Sequence, residues 1–153
     1  MKRFFWILLA IGLGIITAAG FITAFDLTIY LDLTPFLLVV LIPFLILLTQ
    51  YSLREMGNYF RQAREKTQFS YENIQKGLIF FTTMQRLLIG STIIVSILGL
   101  IAILRYIDDS AAIVGTRFGV LFIAVLYSTI LITFITIPYI GALKKKLVNK
   151  PEK

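Results

Sequence analysis

Hydrophobic positions dominate four long stretches of the chain, and charged residues are confined to the segments between them. The uncharged stretches are Phe4–Phe25, Leu33–Leu53, Leu87–Leu104 and Phe118–Leu143. Each one reaches or approaches the roughly 20 apolar residues that a helix needs to cross the hydrocarbon core of a bilayer. The pattern therefore predicts an all-α membrane protein with four transmembrane helices.

The first uncharged stretch has two interpretations. It follows Lys2 and Arg3, and Thr17-Ala18-Ala19 near its end weakly resembles a signal-peptide cleavage site. The apolar core of a signal peptide is shorter, roughly 7–15 residues. We therefore expect a retained transmembrane helix here.

The basic residues are distributed unequally between the two sides of the predicted membrane. Thirteen lie on one side: Lys2, Arg3, Arg54, Arg61, Arg64, Lys66, Lys76, Arg86, Lys144, Lys145, Lys146, Lys150 and Lys153. The other side has only Arg105 and Arg117. Because Lys and Arg are enriched in cytoplasmic loops, both termini and the segment 54–86 are predicted to be cytoplasmic.

The segment 54–86 is the largest one outside the predicted spans. It contains no proline, and its first part is predicted to continue the second span as a helix into the cytoplasm. A break at "TQFS" and a helix returning into the third span would complete a short helical hairpin. The chain is thus divided into the first two spans (1–53), a cytoplasmic helical segment (54–86), the third and fourth spans (87–143) and a basic cytoplasmic tail (144–153).

The composition removes several classes of function. The 153 residues include no cysteine and no histidine, which excludes disulfides, thiolate chemistry and His-ligated metals. The spans carry no Asp, Glu, Lys, Arg or His, which argues against a small transporter that moves protons on its own residues. The net charge of +7 follows membrane topology and does not indicate nucleic-acid binding. No nucleophile–base pair, phosphate loop or metal site is visible, so we expect neither an enzyme nor a bound cofactor.

Hydroxyl side chains recur at helical spacing in the last two spans. Thr92, Ser96 and Gly99 share the spacing i, i+4, i+7, and Thr129, Thr133 and Thr136 repeat it, so each set is predicted to lie on one face of its helix. One interpretation is helix packing, since small and hydroxyl residues let membrane helices approach closely and can bond their own i−4 carbonyls. The other interpretation is a path for ions or water.

Three motifs in the carboxy-terminal half have the order and spacing of a known family. "GSTIIVSILGLI" resembles its third-span "G-T-V-x-G-L-I" run, "IDDSAAIVG" resembles the following loop, and "VLFIAVLYS" precedes Pro138 at the family's distance. The chain thus resembles the MotA/TolQ/ExbB proton-channel family. Four predicted spans indicate its MotA branch, the flagellar stator subunits, here with a reduced cytoplasmic domain.

The resemblance implies a multi-pass protein of the bacterial inner membrane. Five copies would surround two single-span MotB-like partners, each carrying an intramembrane aspartate, and proton or sodium flow would drive mechanical work. The residues implied in the ion pathway are Ser96, Thr92, Thr129 and Thr133, and Pro138 would be a helix hinge or a simple bend. Charges beyond the second span would contact a flagellar rotor or another driven machine: Arg61, Arg64, Glu65 and Lys66.

Two positions depart from the family pattern. Ile89 stands where a proline is usual at the start of the third span, and Val125 stands where many members have threonine. These departures keep open the alternative of a non-conducting four-helix membrane scaffold or assembly subunit. A solvated helix face is likewise the alternative for the four charged residues beyond the second span.

Overall fold

The structure is a computed structural model that describes residues 32–65, 69–106 and 111–149, together with Ile11, Gly12, Gly14, Ile15 and Ala18. The chain divides into two compact units, Met1–Leu33 and Thr34–Lys153. In the first unit the five described residues between 11 and 18 are helical. The rest of the first predicted span lies outside the described residues, so a fourth transmembrane helix stays a prediction.

Four helices, α1 to α4, account for most of the remaining described residues, and no strand occurs among them. Helix α1 is Leu33–Gln50, α2 is Leu53–Arg64, α3 is Tyr71–Arg105, and α4 comprises residues 111–148. Within the described part of the chain, three helical segments are long and apolar enough to cross a membrane: Leu33–Gln50, Tyr71–Arg105 and Val114–Val148. The predicted all-α class is thereby confirmed for the described residues, and helices long and apolar enough to cross a membrane occur where the second, third and fourth spans were predicted.

The predicted continuation of the second span into the cytoplasmic segment is wrong. Helix α1 ends at Gln50, and Tyr51 is extended, with φ −134° and ψ 137°. Ser52 then begins α2 with a capping box, in which its hydroxyl accepts from the Glu55 amide and the Glu55 carboxylate accepts from the Ser52 amide. A capping box satisfies two amide donors that a continuous helix would pair internally, so it stabilises a separate helix start.

The other arm of the predicted hairpin is continuous with its span. Helix α3 has 35 residues, which corresponds to a length of about 52 Å and so exceeds the hydrocarbon thickness by several turns. Helix α4 continues to Val148 and includes all three lysines of residues 144–146. The predicted basic tail therefore begins as part of the last helix and not as a separate segment.

A cluster of aromatic side chains joins α2, α3 and α4. The Phe80 ring is fully buried, with its centroid 5.2 Å from that of Tyr51 and 5.3 Å from that of Tyr59. Phe81 stacks on Tyr139 of α4 at 5.0 Å. Leu47, Met56, Ala63, Ile74 and Leu143 complete this core. The buried positions Met56, Tyr59 and Ala63 fall on one face of α2, so its amphipathic pattern explains why it packs here.

The middle of α3 remains largely uncovered by the rest of the chain. Ile93, Ile94 and Ile97 are 54%, 60% and 51% exposed, respectively. Contiguous apolar surface of this kind marks contact with lipid or with another protein. It is consistent with a helix whose surroundings are a bilayer.

Candidate functional site

Helices α3 and α4 form an antiparallel pair whose register is set by close contacts at two places. A methyl group added at Gly99 would lie 3.3 Å from Leu121 Cδ1, so the two helices approach closely there. At the other end of the pair Phe81 stacks on Tyr139. Since small residues permit short interhelical distances in membranes, Gly99 is a packing position of this pair.

Thr92 and Ser96 share the face of α3 that carries Gly99. Both are half-buried, as their spacing from Gly99 requires. The Thr92 hydroxyl donates to the Leu88 carbonyl at 2.7 Å, within its own helix. Ser96 has no hydrogen-bond partner among the described residues. Of these two candidate pathway residues, Ser96 has the hydroxyl that is free to bind another group.

The three threonines predicted to share a face of α4 differ in their exposure. Thr129 and Thr133 are exposed, whereas Thr136 is fully buried. The reason is a π-helical turn at Ile132–Thr136, which replaces the regular 3.6-residue period and rotates Thr136 away from the other two. The expectation of one common face for these three threonines is therefore wrong.

The four candidate pathway residues do not meet within one chain. Thr92 and Ser96 lie on the face of α3 that packs against α4, whereas Thr129 and Thr133 lie on an outward face of α4. That outward face also carries Val125, which is 38% exposed. The Thr129 hydroxyl donates to the Val125 carbonyl at 2.8 Å. A pathway that uses all four residues would need groups from outside the chain.

Prolines and π-helical turns occur together in α1 and α4. Pro43 follows the π turn Leu37–Leu41, and Pro138 follows the turn Ile132–Thr136, each proline being the second residue after its turn. A proline lacks the amide hydrogen and clashes with the carbonyl four residues earlier. A wider turn relieves both problems without ending the helix. Pro138 as a hinge stays a prediction.

Ser91 compensates one of these prolines from a neighbouring helix. In a regular helix the Val39 carbonyl would accept a hydrogen bond from the amide of residue 43, but Pro43 has no amide hydrogen. Val39 is fully buried, so water cannot replace this donor. The Ser91 hydroxyl lies 3.3 Å from this carbonyl and 3.0 Å from the Leu88 carbonyl of its own helix. With a single proton it donates to one of them at a time. Ser91 thus ties the irregular turn of α1 to α3.

The charged residues predicted to face a rotor have different environments. Arg61 and Arg64 are exposed on α2, whereas Glu65 is half-buried where the helix ends. Lys66 lies outside the described residues. A contact surface made of all four is therefore not established, and Arg61 and Arg64 are its exposed members.

Lys146 lies in a different environment from Lys144 and Lys145, because it is half-buried and they are exposed. Its ammonium group donates to the Glu65 carbonyl at 2.5 Å and also to the Gln62 carbonyl, both at the end of α2. These carbonyls belong to the set that a helix leaves unpaired at its carboxyl end. Lys146 follows Tyr139 and Leu143 at i+7 and i+3, and this periodicity could have separated it from Lys144 and Lys145.

Arg117 makes a similar contact at the opposite end of α4. One of its guanidinium nitrogens, Nη1, donates to the Ala102 carbonyl at 3.1 Å, within the last turn of α3. The guanidinium carbon lies 3.7 Å from the centroid of the Tyr106 ring, a cation–π contact. Helix α4 thus supplies cations to the carboxyl ends of both α2 and α3, where the helix dipole favours positive charge.

Known proteins supply no further assignment for these residues. Comparison of the chain with family models, with curated proteins and with solved structures found no match.

Proposed function

We propose that the chain is the ring-forming subunit of an ion-driven motor in the bacterial inner membrane, of the stator type. It would surround a MotB-like partner and convert proton or sodium flow into mechanical work. The sequence motifs around Ser96 and before Pro138 are the basis of this proposal. The helical fold, with three apolar helices, is compatible with it.

The observation that carries the proposal is the contrast between available hydroxyls and absent carboxylates. Ser96 has no partner among the described residues, and Thr133 is exposed, yet the apolar runs of α3 and α4 contain no acid. Proton relays in membranes use titrating side chains. A conducting complex would therefore need a carboxylate from a partner, as the MotB-like aspartate would provide.

The exposed apolar surfaces are suited to a multi-subunit arrangement. Val125, Thr129 and Thr133 lie on an outward face of α4, where they are accessible to a helix from another chain. In the proposed pentamer this face would line the space around the two partner helices. Departures at Ile89 and Val125 would then affect which ion passes.

Subunit counting tests this assembly directly. The protein, purified from its own membranes with its associated chains, should give five copies and two single-span partners in native mass spectrometry. A neighbouring gene for a single-span protein with an intramembrane aspartate and a peptidoglycan-binding domain would supply the candidate partner. A monomer or dimer without such a partner would refute the motor.

Conduction is tested separately at Ser96. In Ser96→Leu, ion-dependent work should be lost while the complex still assembles, because the hydroxyl is replaced by an apolar group of larger volume. Ile97→Leu is the matched control, since Ile97 is an exposed apolar residue of α3 that is not among the candidate pathway residues. Full activity of Ser96→Leu would remove Ser96 from the pathway.

The second candidate function is a non-conducting membrane scaffold with the same fold. The observation in its favour is that the hydroxyls of Thr92, Thr129 and Thr136 all donate to carbonyls of their own helices. Such bonds satisfy polar groups in lipid without any ion path. Liposomes that contain the complex would show no proton or sodium flux if this alternative holds.

Engagement with a driven machine would involve the exposed charges of α2. Arg61→Glu and Arg64→Glu should reduce the work output while ring assembly and ion flux are unchanged. Unaltered output in both variants would leave these arginines as a solvated helix face.

A further inference from the structure

Arg86 is an exposed cation that lies between exposed isoleucines on α3. Ile79 and Ile93, seven residues before and after it, are 58% and 54% exposed and share its face of the helix. Among the residues that the structure describes, Arg86 has no hydrogen bond, ion pair or ring contact. The nearby Lys76, in contrast, is paired with Glu72 at 2.6 Å.

The contacts of α3 with α1 fix the level of Arg86 along that neighbour. Phe80 of α3 contacts Tyr51, and Ser91 of α3 contacts Val39. Arg86 lies about midway between Phe80 and Ser91. It is therefore beside Phe44, which lies about midway between Val39 and Tyr51. Six residues separate Phe44 from the end of α1 at Gln50. At the rise of an α-helix this distance is about 9 Å.

The contacts of α3 with α4 give a consistent level. Phe81 contacts Tyr139, and Gly99 contacts Leu121, so α3 and α4 run antiparallel. Arg86 comes five residues after Phe81 and is therefore beside Phe134, which comes five residues before Tyr139. Nine residues separate Phe134 from Leu143, where the uncharged run of α4 ends. This corresponds to about 13 Å. The Arg86 backbone is thus beside apolar turns of both neighbouring helices, and not beyond their ends.

A guanidinium at such a level needs a partner of opposite charge or access to the membrane surface. Side chains on a helix lean toward its amino terminus, and the amino terminus of α3 is on the side where most basic residues lie. Long basic side chains in this situation extend along apolar surface to place their charge among the headgroups. A guanidinium also matches the geometry of a phosphate and can bind it with two hydrogen bonds.

We propose that Arg86, flanked by Ile79 and Ile93, is a binding site for an anionic phospholipid of the leaflet at the amino-terminal end of α3. The guanidinium binds the headgroup phosphate, and the exposed isoleucines contact the acyl chains. The proposal requires only that α1, α3 and α4 span a bilayer, and it is independent of the motor function.

Lipid retention tests the site. The protein is reconstituted in nanodiscs of phosphatidylcholine and phosphatidylglycerol in equal amounts, and the phosphatidylglycerol that stays bound after extraction is measured by native mass spectrometry. Arg86→Gln should retain it about tenfold less, because a neutral amide cannot replace the charge-assisted hydrogen bonds from the guanidinium to the phosphate. Arg86→Lys keeps the charge but loses the fork of two hydrogen bonds, so its retention should lie between that of Arg86→Gln and that of the native protein.

Lys145→Gln is the matched control, because Lys145 is an exposed cation near the end of α4. It should retain phosphatidylglycerol as the native protein does. An equal loss in Lys145→Gln and Arg86→Gln would overturn the proposal in favour of diffuse attraction by the whole basic surface. Unchanged retention in Arg86→Gln would overturn it as well.

A photo-crosslinking residue in place of Ile79 gives an independent readout that does not require Arg86 to be replaced. Lipid adducts enriched in phosphatidylglycerol are expected. Adducts with a second copy of the chain or with another protein would instead assign this face to a protein interface and refute the lipid site. If Arg86→Gln does not fold, this crosslinking result decides the question.

Discussion

Single residues determine how closely the helices of this protein approach one another. Gly77 is the tightest example, because a methyl group added there would lie 3.2 Å from Gln62 Oε1 and 3.3 Å from Leu143 Cδ1. Gln62 Oε1 is itself buried without a hydrogen-bond partner in the described part of the chain. The glycine therefore permits α2, α3 and α4 to meet around one point.

We expect Gly77→Ala to be less stable than Gly141→Ala by about 1–3 kcal/mol, the usual effect of overpacking. Both glycines are helical, so the gain in helix propensity is the same, but nothing lies within 4 Å of a methyl group at Gly141. Thermal unfolding of the two purified variants in detergent would measure the difference. Equal stability would show that Gln62 and Leu143 move aside without cost.

Lys146 is a second position where one side chain acts on a whole helix end. Lys146→Met removes the donor for the Gln62 and Glu65 carbonyls, and we expect a loss of roughly 1.5–3 kcal/mol, typical of hydrogen bonds to a charged group. Lys145→Met removes an exposed charge of the same type and should change the unfolding free energy little. The pair would be compared by chemical denaturation. A similar loss in both variants would contradict the capping contact.

Irregular turns, and not only regular helices, define the elements of this bundle. The two π turns end two residues before Pro43 and Pro138, where a regular helix would clash with the proline ring. The carbonyl that loses its amide donor to Pro43 is Val39, and it accepts from Ser91 of α3. In the turn before Pro138, the Thr136 hydroxyl and the Ile137 amide both donate to the Ile132 carbonyl.

Ser91→Ala should destabilise the contact between α1 and α3 by about 1–3 kcal/mol, because it leaves the buried Val39 carbonyl without its interhelical donor. Thr92→Val is the neighbouring control, since Thr92 bonds only the Leu88 carbonyl of its own helix. Amide hydrogen exchange in residues 42–50 should increase in the first variant only. An unchanged exchange rate would mean that Ser91 donates to Leu88 alone.

The predicted topology of the whole molecule gives its two sides very different numbers of basic residues. Thirteen of the fifteen basic residues belong to one predicted side, which favours a cytoplasmic location for that side. The absence of native cysteine makes this prediction simple to test, because a single introduced thiol is the only reactive one.

In intact cells, an impermeant thiol reagent should label Gly115→Cys and should not label Gln75→Cys. Both positions are exposed, near opposite ends of the pair formed by α3 and α4. After the cells are opened, both variants should react. Labelling of Gln75→Cys in intact cells would reverse the proposed orientation.

The length and apolar character of the spans were predictable from sequence, because a bilayer requires about 20 uncharged residues from any helix, whatever packs beside it. Leu33–Gln50 and Tyr71–Arg105 confirm this at the level of the element. The break at Tyr51 results from the local capping box of Ser52 and Glu55. It was not predicted, because the uncharged run continues through Tyr51 and Ser52 to Leu53.

Only the tertiary structure decided which side chains within an element face a neighbour. Lys144, Lys145 and Lys146 are chemically identical, yet the position of α2 makes Lys146 alone the donor to its carboxyl end. Thr129, Thr133 and Thr136 share an ideal spacing, yet the π turn places Thr136 in the interior. The sequence determines which chemical groups each residue carries and roughly which helix contains it. The rotation of a helix and the partners of its side chains depend on contacts between distant segments, and these exist only once the chain has folded.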